Sequence, residues 1–421
     1  MNGIKTQSAI VFAIKVLSAG LAMLVNMFIT NNLNIKDVGV YFLMSSVVLF
    51  INPIAVWGLN NYTLKHTAIY TSTNTNNIVV NTMLMRCLLS SAAVSFTIVC
   101  MLILLYNDVN KYILDGNVSF KTYAYLLFSV PFFSLGTIIC HALQGGGGIK
   151  LSMFISGPLI QILLLFLSFS LTADNVDKLS LCYFISTLGF FIISFSFWLF
   201  YYGVEIKKTT LELSNIYYEN TSLMLIQLLG VIYLSLSQVL LGATGNVTDV
   251  AKLAICIKIS MLLSFVLQAV NKVVAPNFSA LFYKGEIIKL KQLVKTSTRI
   301  LITACMPIVV LFFFFSKEIL TMFGEEYRDA SWMLMVLIAS QVVNICTGTV
   351  SYLLMMTGYE KSHRNNVVIS SGISLIIGMI SIKYIGVYGA LFMVCFSLIC
   401  TNVLSWIMVK RKLGINTLDI F

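Results

Sequence analysis

Apolar runs of about twenty residues, divided by short polar breaks, recur along the whole chain. They fall at roughly 8–30, 38–60, 79–106, 121–143, 151–172, 179–201, 217–242, 247–271, 299–322, 330–356, 366–384 and 387–409. At 1.5 Å per residue, about twenty residues of helix cross a hydrocarbon core about 30 Å thick. The pattern therefore predicts an all-α, polytopic membrane protein with twelve spans. The third and tenth runs are long enough to tilt or to extend past the bilayer. Pro53, Pro131, Pro158 and Pro307 fall inside runs, where they predict kinks and hinge points. The loops near 61–78, 202–216 and 272–298 are too short for an appended soluble domain.

The pattern is duplicated. Asn34-Ile-Lys-Asp37-Val38 recurs as Asn246-Val-Thr-Asp249-Val250, 212 residues later, and Leu143-Gln-Gly145 recurs as Met356-Thr-Gly358 at nearly the same offset. Each Asp suits the first turn of a helix. Six spans per repeat is an even number, so both repeats keep one orientation. The expected lobes are 1–202 and 217–410, pseudo-symmetric six-helix bundles joined by a cytoplasmic linker, 203–216, and followed by a cytoplasmic tail, 411–421.

Charge sets the orientation. With the N-terminus inside, the inner segments carry 15 Lys and Arg and the outer segments 7; the other five of the 27 lie within or at the edges of spans. The positive-inside rule then puts both termini in the cytoplasm. The net charge of +11 does not point to nucleic acid, because the basic residues sit in short loops between spans. The nine cysteines lie in or beside apolar runs with no C-x-x-C pair, and fit small core hydrophobes. His66, His141 and His363 are scattered, so no metal site or cofactor is expected. Without a nucleophile–base pairing in the sequence, an enzyme is not expected either. Gly145 to Gly148 lacks the spacing of a phosphate loop and predicts a flexible inner turn. Residues 284–295, with Ile287, Leu290 and Val294 at helical spacing among lysines, predict a short helix lying on the membrane surface.

The candidate chemistry is cationic. Lys258 lies near the middle of the eighth run, too deep to snorkel, where a lipid-facing charge costs about 2.5–3.5 kcal/mol or more. Lys15 is a milder case in the first run. The central parts of the runs carry no Asp or Glu. A water-filled, positively charged cavity would accommodate both lysines, and would suit an anionic cargo. Lys272, near the inner end of the eighth run, shares a face with Lys258. Asn26, Asn52, Gln227, Gln238 and Gln268 complete the candidate set, as amides suited to sugar hydroxyls. In the first and seventh runs Ser8, Lys15 and Asn26 match Asn220, Gln227 and Gln238 under the repeat, each set on one helix face. The plainer reading of these amides is polar packing between helices, worth about 0.6 kcal/mol per bond.

Several segments carry a family resemblance. In the second half these are Ala275-Pro-Asn-Phe-Ser279, Tyr283-Lys-Gly285, Leu293 to Arg299, Met322-Phe-Gly324-Glu-Glu-Tyr327 with Ala330, then Gln341, Asn344, Gly348 and Leu354-Met-Met-Thr-Gly358. In the first half they are Asp37-Val-Gly39-Val-Tyr41 and Trp57-Gly58-Leu59. In order and spacing the chain resembles the O-antigen flippases of the polysaccharide-transporter family, within the multidrug/oligosaccharidyl-lipid/polysaccharide (MOP) exporter superfamily. The resemblance implies a MATE-like bundle of twelve helices in two lobes. It implies transfer of undecaprenyl-diphosphate-linked oligosaccharide units to the periplasmic leaflet by alternating access. Lys15 and Lys258 would occupy helices comparable to those that carry lumen cations in the family. The implied partners are the lipid-linked oligosaccharide, membrane lipids, a polysaccharide polymerase and a chain-length regulator. A coupling ion, proton or Na⁺, is left open.

Three other functions compete. A multidrug exporter of the same fold would handle cations and use a buried acid in the first half, which is lacking here. A lipid II flippase would carry two further spans. A membrane-bound polymerase or ligase would need a long outer loop.

The topology is testable by cysteine labelling from either side of intact cells. A cysteine in 284–295 and a reporter after residue 421 should both read as cytoplasmic; labelling of either from the periplasm overturns the orientation.

Overall fold

The computed structural model describes residues 2–72, 77–112, 114, 116, 118–203, 205, 213–244 and 246–418. Side chains are described within these except at 2–9, 12, 72, 213–219, 222, 223, 226, 269, 272, 273, 275 and 276. Hydrocarbon offers no partner for a backbone amide, so a spanning segment must bond its own. The described chain is accordingly helical. The helices are α1 (Asn2–Asn32), α2 (Ile35–Val56), α3 (Leu59–Ser72), α4 (Asn77–Leu104), α5 (Tyr106–Tyr112), α6 (Phe120–Gly145), α7 (Ile149–Phe154), α8 (Ile160–Ser170), α9 (Val176–Tyr202) and α10 (Leu213–Gly242). They continue as α11 (Val247–Tyr283), α12 (Ile287–Phe314), α13 (Ser316–Thr321), α14 (Ser331–Thr347), α15 (Val350–Met356), α16 (Glu360–Ile385) and α17 (Val387–Leu413). A π-helical turn, Ile155–Leu159, joins α7 to α8, and a 3-10 turn, Glu325–Ala330, leads into α14. Among the described residues eleven helices are long and apolar enough to cross a membrane, and α10 adds the shorter apolar segment Gln227–Gly242.

The element order repeats. α1, α2–α3, α4, short α5, α6, α7–α8 and α9 are followed by α10, α11, α12, short α13, α14–α15, α16 and α17. Packing divides the chain into two compact units, Met1–Val247 and Thr248–Phe421. The packing boundary thus falls after α10, whereas the sequence repeat starts with it.

In the first unit α6 packs against α2, α3, α4 and α9. Gly136 lets α6 approach α9, since a Cβ there would fall 2.3 Å from the Phe190 ring. At one end Ser119 caps α6 by accepting from the Thr122 amide at 3.2 Å. Asp177 on α9 accepts from the Ser119 and Thr122 hydroxyls, tying the two helix starts together. At the other end Asn81 of α4 accepts from the Trp198 indole at 3.0 Å and donates to the Tyr202 carbonyl at 3.0 Å. Trp198 stacks on Tyr202 at 4.1 Å.

Three spans are irregular, and each irregularity has a local cause. Pro53 cannot donate within α2, and the helix ends at Trp57 and Gly58, both with positive φ (50° and 74°). The Ala55 carbonyl, left near this break, accepts from Ser91 of α4 at 2.8 Å. Pro158 lies in the π turn between α7 and α8. Gly348, at φ +73°, separates α14 from α15 and leaves no room for a Cβ beside Thr298. Gly136 stands 212 residues before Gly348, yet lies within continuous α6.

The structure corrects four expectations. Residues 287–295 are not a separate surface helix but the first turns of α12, because Leu290 and Val294 are fully buried among Val274, Phe278, Val350 and Leu354. The run Gly145 to Gly148 is a packed turn: a Cβ on Gly145 would meet the Leu64 carbonyl at 2.4 Å, and one on Gly146 the Tyr202 hydroxyl at 1.7 Å. Residues 411–418 are not a free tail. Lys412 is still in α17, Ile415 is buried in the core of the second unit, and Asn416 accepts from the Trp406 indole at 3.1 Å. α11 continues to Tyr283, twelve residues past the expected end of its span. Most of the expected linker, including Lys207 and Lys208, lies outside the described residues.

Gly39 offers a direct test of this packing, since a Cβ there would lie 1.8 Å from the Val247 carbonyl oxygen. Gly39→Val should destabilise the protein by about 1–3 kcal/mol or more, seen as a lower midpoint in thermal unfolding. Gly20→Ala, with nothing near its Cβ, should leave the midpoint unchanged or raise it.

Candidate functional site

The polar residues singled out by the sequence separate into two groups, one on each unit. In the first unit α10 runs antiparallel along α2 and α3. Gly39 meets Val247, Leu43 meets Gly242, Ser46 donates to the Gln238 side-chain oxygen at 2.8 Å, and Gln227 donates to the Asn60 oxygen at 3.2 Å. The Trp57 indole at the end of α2 reaches the Thr221 hydroxyl at 3.4 Å. Glycine at 39 and 242 sets the close approach, and the paired amides and hydroxyls fix the register.

This geometry changes the roles assigned to three residues. Gln227 and Gln238 were expected on a cavity-lining stripe, but their amides are turned to α3 and α2. Gln238 is buried. Asn52 accepts from Ser134 of α6 at 3.0 Å, so it too bonds a packed helix. Hydrocarbon penalises a lone amide, and a neighbouring hydroxyl or amide removes the penalty, so these groups pair between helices.

Lys15 is half-buried on α1. At about 100° per residue it lies within about 20° of buried Asn26 and about 60° from Ser18. A Cβ on Gly157 would lie 2.9 Å from the Ser18 hydroxyl, so this side of α1 packs on the π turn. Val16, Leu17 and Leu24 occupy the exposed side, away from Lys15. Lys15 therefore stands along the seam between α1 and α7–α8, beside a turn of irregular hydrogen bonding. Asn26 is buried in the same seam.

In the second unit Lys258 sits at the centre of the apolar segment Val247–Gln268 of α11 and is half-buried. The packed face of α11 is fixed by two contacts. Cys256 approaches the Ala330 carbonyl at 3.6 Å, and Ser264 donates to Gln341 of α14 at 3.1 Å. Lys258 lies about 160° from Cys256 and about 120° from Ser264, so it faces away from α14. Gln268 is half-exposed, about 80° from Lys258. The side chain of Lys272 lies outside the described residues. Among the described residues no group of three His, Cys, Asp or Glu could hold a metal ion.

Sequence reasoning missed Ser46, Asn60, Thr221 and Asn81 as pairing partners. Each is a single polar residue with no local periodicity, and each acquires its role from a residue more than a hundred positions away.

Neither a family model nor any curated protein matches the sequence. Solved structures match in fold. The chain is similar to the inward-facing conformation of a multidrug resistance MATE family transporter of the MOP superfamily, with TM-score 0.76 and 14% identity, covering 97% of this chain and 98% of that one. It is also similar to an outward-facing conformation of such a transporter, with TM-score 0.66 and 13% identity over 97% and 94%. The bent form of the Vibrio cholerae MATE transporter VcmN gives TM-score 0.62 and 13% identity over 98% of each chain. The chain is thus a multi-pass, all-helical membrane protein with the MATE fold.

The seam between α2 and α10 can be measured by a double-mutant cycle. Ser46→Ala and Gln238→Leu should couple by about 0.6 kcal/mol, at most about 1.7, in thermal or chaotrope unfolding. Strictly additive effects would show that the two side chains do not support each other.

Proposed function

We propose that the protein moves an amphiphilic anion across the bilayer, and that this anion is a lipid-linked oligosaccharide diphosphate. One observation carries the reading: Lys258 stands at the centre of an apolar helix, half-buried, on the side turned away from its packed neighbour α14. An ammonium at that depth is costly, so a span that keeps one has a use for its positive charge. Lysine serves a phosphate as a point charge and tolerates a loosely held ligand. Within the same unit Gln268 would meet sugar hydroxyls; Lys15, beside the π turn of the first unit, is a separate candidate cation. Among the described residues the acids lie towards the ends of the helices and in the connections, away from the centres of the spans. That distribution favours an anionic cargo. The resemblance of the sequence to O-antigen flippases supplies the identity of the lipid-linked glycan. On this reading the protein works by alternating access in the inner membrane, both termini cytoplasmic, and feeds a polymerase on the far side.

A second reading has support of its own. The solved structures it resembles are described as multidrug resistance transporters. Export of amphiphilic organic cations would follow if the interior could hold positive charge, which the two lysines oppose.

Deletion in the native host followed by complementation separates the two. Lys258→Ala should insert normally, because it removes a costly charge, and should lower surface polysaccharide about tenfold or more, as expected for loss of one charged hydrogen bond. Lys258→Arg should retain part of the activity, and Lys258→Glu should retain least. Protein level is checked by blot. Normal polysaccharide from well-expressed Lys258→Glu would rule out this lysine as the anion contact. Unchanged polysaccharide in the deletion, with new sensitivity to cationic dyes, would favour the exporter.

A further inference from the structure

We propose that the first turns of α12 hold the headgroup of an anionic phospholipid, bound by Lys291, Lys295 and Arg299 on one face of the helix. The site lies within the second unit and is independent of the cargo.

α12 begins at Ile287, and buried Leu290 and Val294 fix which of its faces meets the core. At about 100° per residue Lys295 lies about 140° from Leu290 and about 100° from Val294. Lys291 and Arg299 stand four residues to either side, each within about 40° of Lys295. The three cations therefore form a row about 12 Å long on the side turned away from the core. Lys291 and Arg299 are exposed, and Lys295 is half-buried. Ile288 stands at the head of the row, about 20° from Lys295, and is 77% exposed.

This arrangement works against the helix. Lys291 with Lys295, and Lys295 with Arg299, are like charges at four-residue spacing, which destabilises a helix. The row also starts near the N-terminal end, where the helix dipole favours anions. Glu286 precedes the helix but is paired with Lys289 at 2.8 Å, and Lys289 lies about 120° from Lys295. A positive-inside signal needs basic residues near the end of a span; it does not need them aligned on one face. The other repeat lacks the row as well. α4, the corresponding span of 28 residues, carries one charged residue, Arg86, where α12 carries four cations. A row of cations that costs the helix stability calls for a negative partner.

The rest of the face selects the class of partner. Past Arg299 it turns apolar. Met306 and Val310 are exposed, lie within about 60° of Lys295, and stand about 10 and 16 Å further along the helix than Arg299. α12 is long and apolar enough to cross a membrane, and only 28% of its most apolar stretch is buried in the protein. A phospholipid has the same division, with a phosphate at the interface and an acyl chain running towards the midplane. A soluble phosphate or an acidic protein would use the cations and leave Ile288, Met306 and Val310 uncovered. The two lysines act on a phosphate as point charges, and the Arg299 guanidinium can hold two of its oxygens. A bound headgroup would neutralise the row and anchor the start of α12 at the membrane surface.

The test uses the full-length purified protein in detergent micelles that carry either dioleoylphosphatidylglycerol or dioleoylphosphatidylcholine. The phosphatidylglycerol should raise the thermal unfolding midpoint over phosphatidylcholine by about 2 °C at ten times its dissociation constant, and added NaCl should shrink this gain. Replacing all three cations, Lys291→Gln, Lys295→Gln and Arg299→Gln, should abolish the gain. The midpoint of that variant in phosphatidylcholine should equal or exceed that of the unaltered protein, since the like-charge repulsion is gone. Lys291→Arg with Lys295→Arg should preserve the gain, and so should Lys410→Gln with Lys412→Gln, which removes charge from the end of α17 instead. Equal midpoints of the unaltered protein in the two lipids would overturn the proposal. So would a gain that survives in the triple variant, or one lost equally in the α17 variant. If the triple variant does not fold, Lys295→Gln alone should lower the gain, and an unchanged gain there would overturn the proposal. An equal gain from glycerol phosphate without lipid would make the ligand a soluble phosphate, and would overturn it too.

Discussion

Hydrocarbon cannot bond an amide, and from that single constraint most of this architecture follows. A regular helix satisfies itself and can face lipid. A broken helix cannot, and among the described residues the three broken spans have their breaks where another helix supplies a polar atom or close cover. Ser91 reaches the Ala55 carbonyl beside the Trp57–Gly58 break, Ser18 of α1 lies over Gly157 in the π turn, and Thr298 covers Gly348. The positions of serine and threonine within the units are thus explained by backbone need as much as by side-chain chemistry.

The two sequence repeats handle this constraint differently. Where the first repeat breaks its second span at Trp57 and Gly58, α11 runs on without interruption to Tyr283. Where α6 remains continuous through Gly136, the second repeat breaks at Gly348. Pro53 explains the first break. At the second, the Cα of Gly348 sits directly on Thr298, whereas Gly136 sits under the Phe190 ring. Duplicated patterns have therefore diverged in their irregular points while keeping the order and lengths of their regular ones.

This divergence marks how far the sequence could be read. Hydrophobic run length is dictated by bilayer thickness, so the spans and their approximate number were legible, whereas the short helices after α4 and α12 were not. α12 exceeded its predicted start because Leu290 and Val294 are apolar for the sake of a core, not of lipid, and a run-length criterion does not tell these apart. The candidate site was partly legible. Lys258 is conspicuous because a charge in an apolar run has few explanations. Gln227, Gln238 and Asn52 could be read either way, because an amide that pairs with a neighbour and an amide that faces water look identical in one sequence. Only the position of Ser46, Asn60 and Ser134 separates them.

Trp57 has a consequence for observation. Its backbone is held in the left-handed region, unusual for a bulky residue, and its indole leans on Thr221 of α10. The chain has four tryptophans, and the other three are in different surroundings: Trp198 is fixed by Asn81, Trp332 is stacked on Tyr388, and Trp406 is tied to Asn416. A chain in which those three are replaced by phenylalanine would keep one fluorophore, seated at the joint of its second span. Its emission wavelength and quenching by aqueous iodide would then read the opening of that joint in real time, without an attached dye.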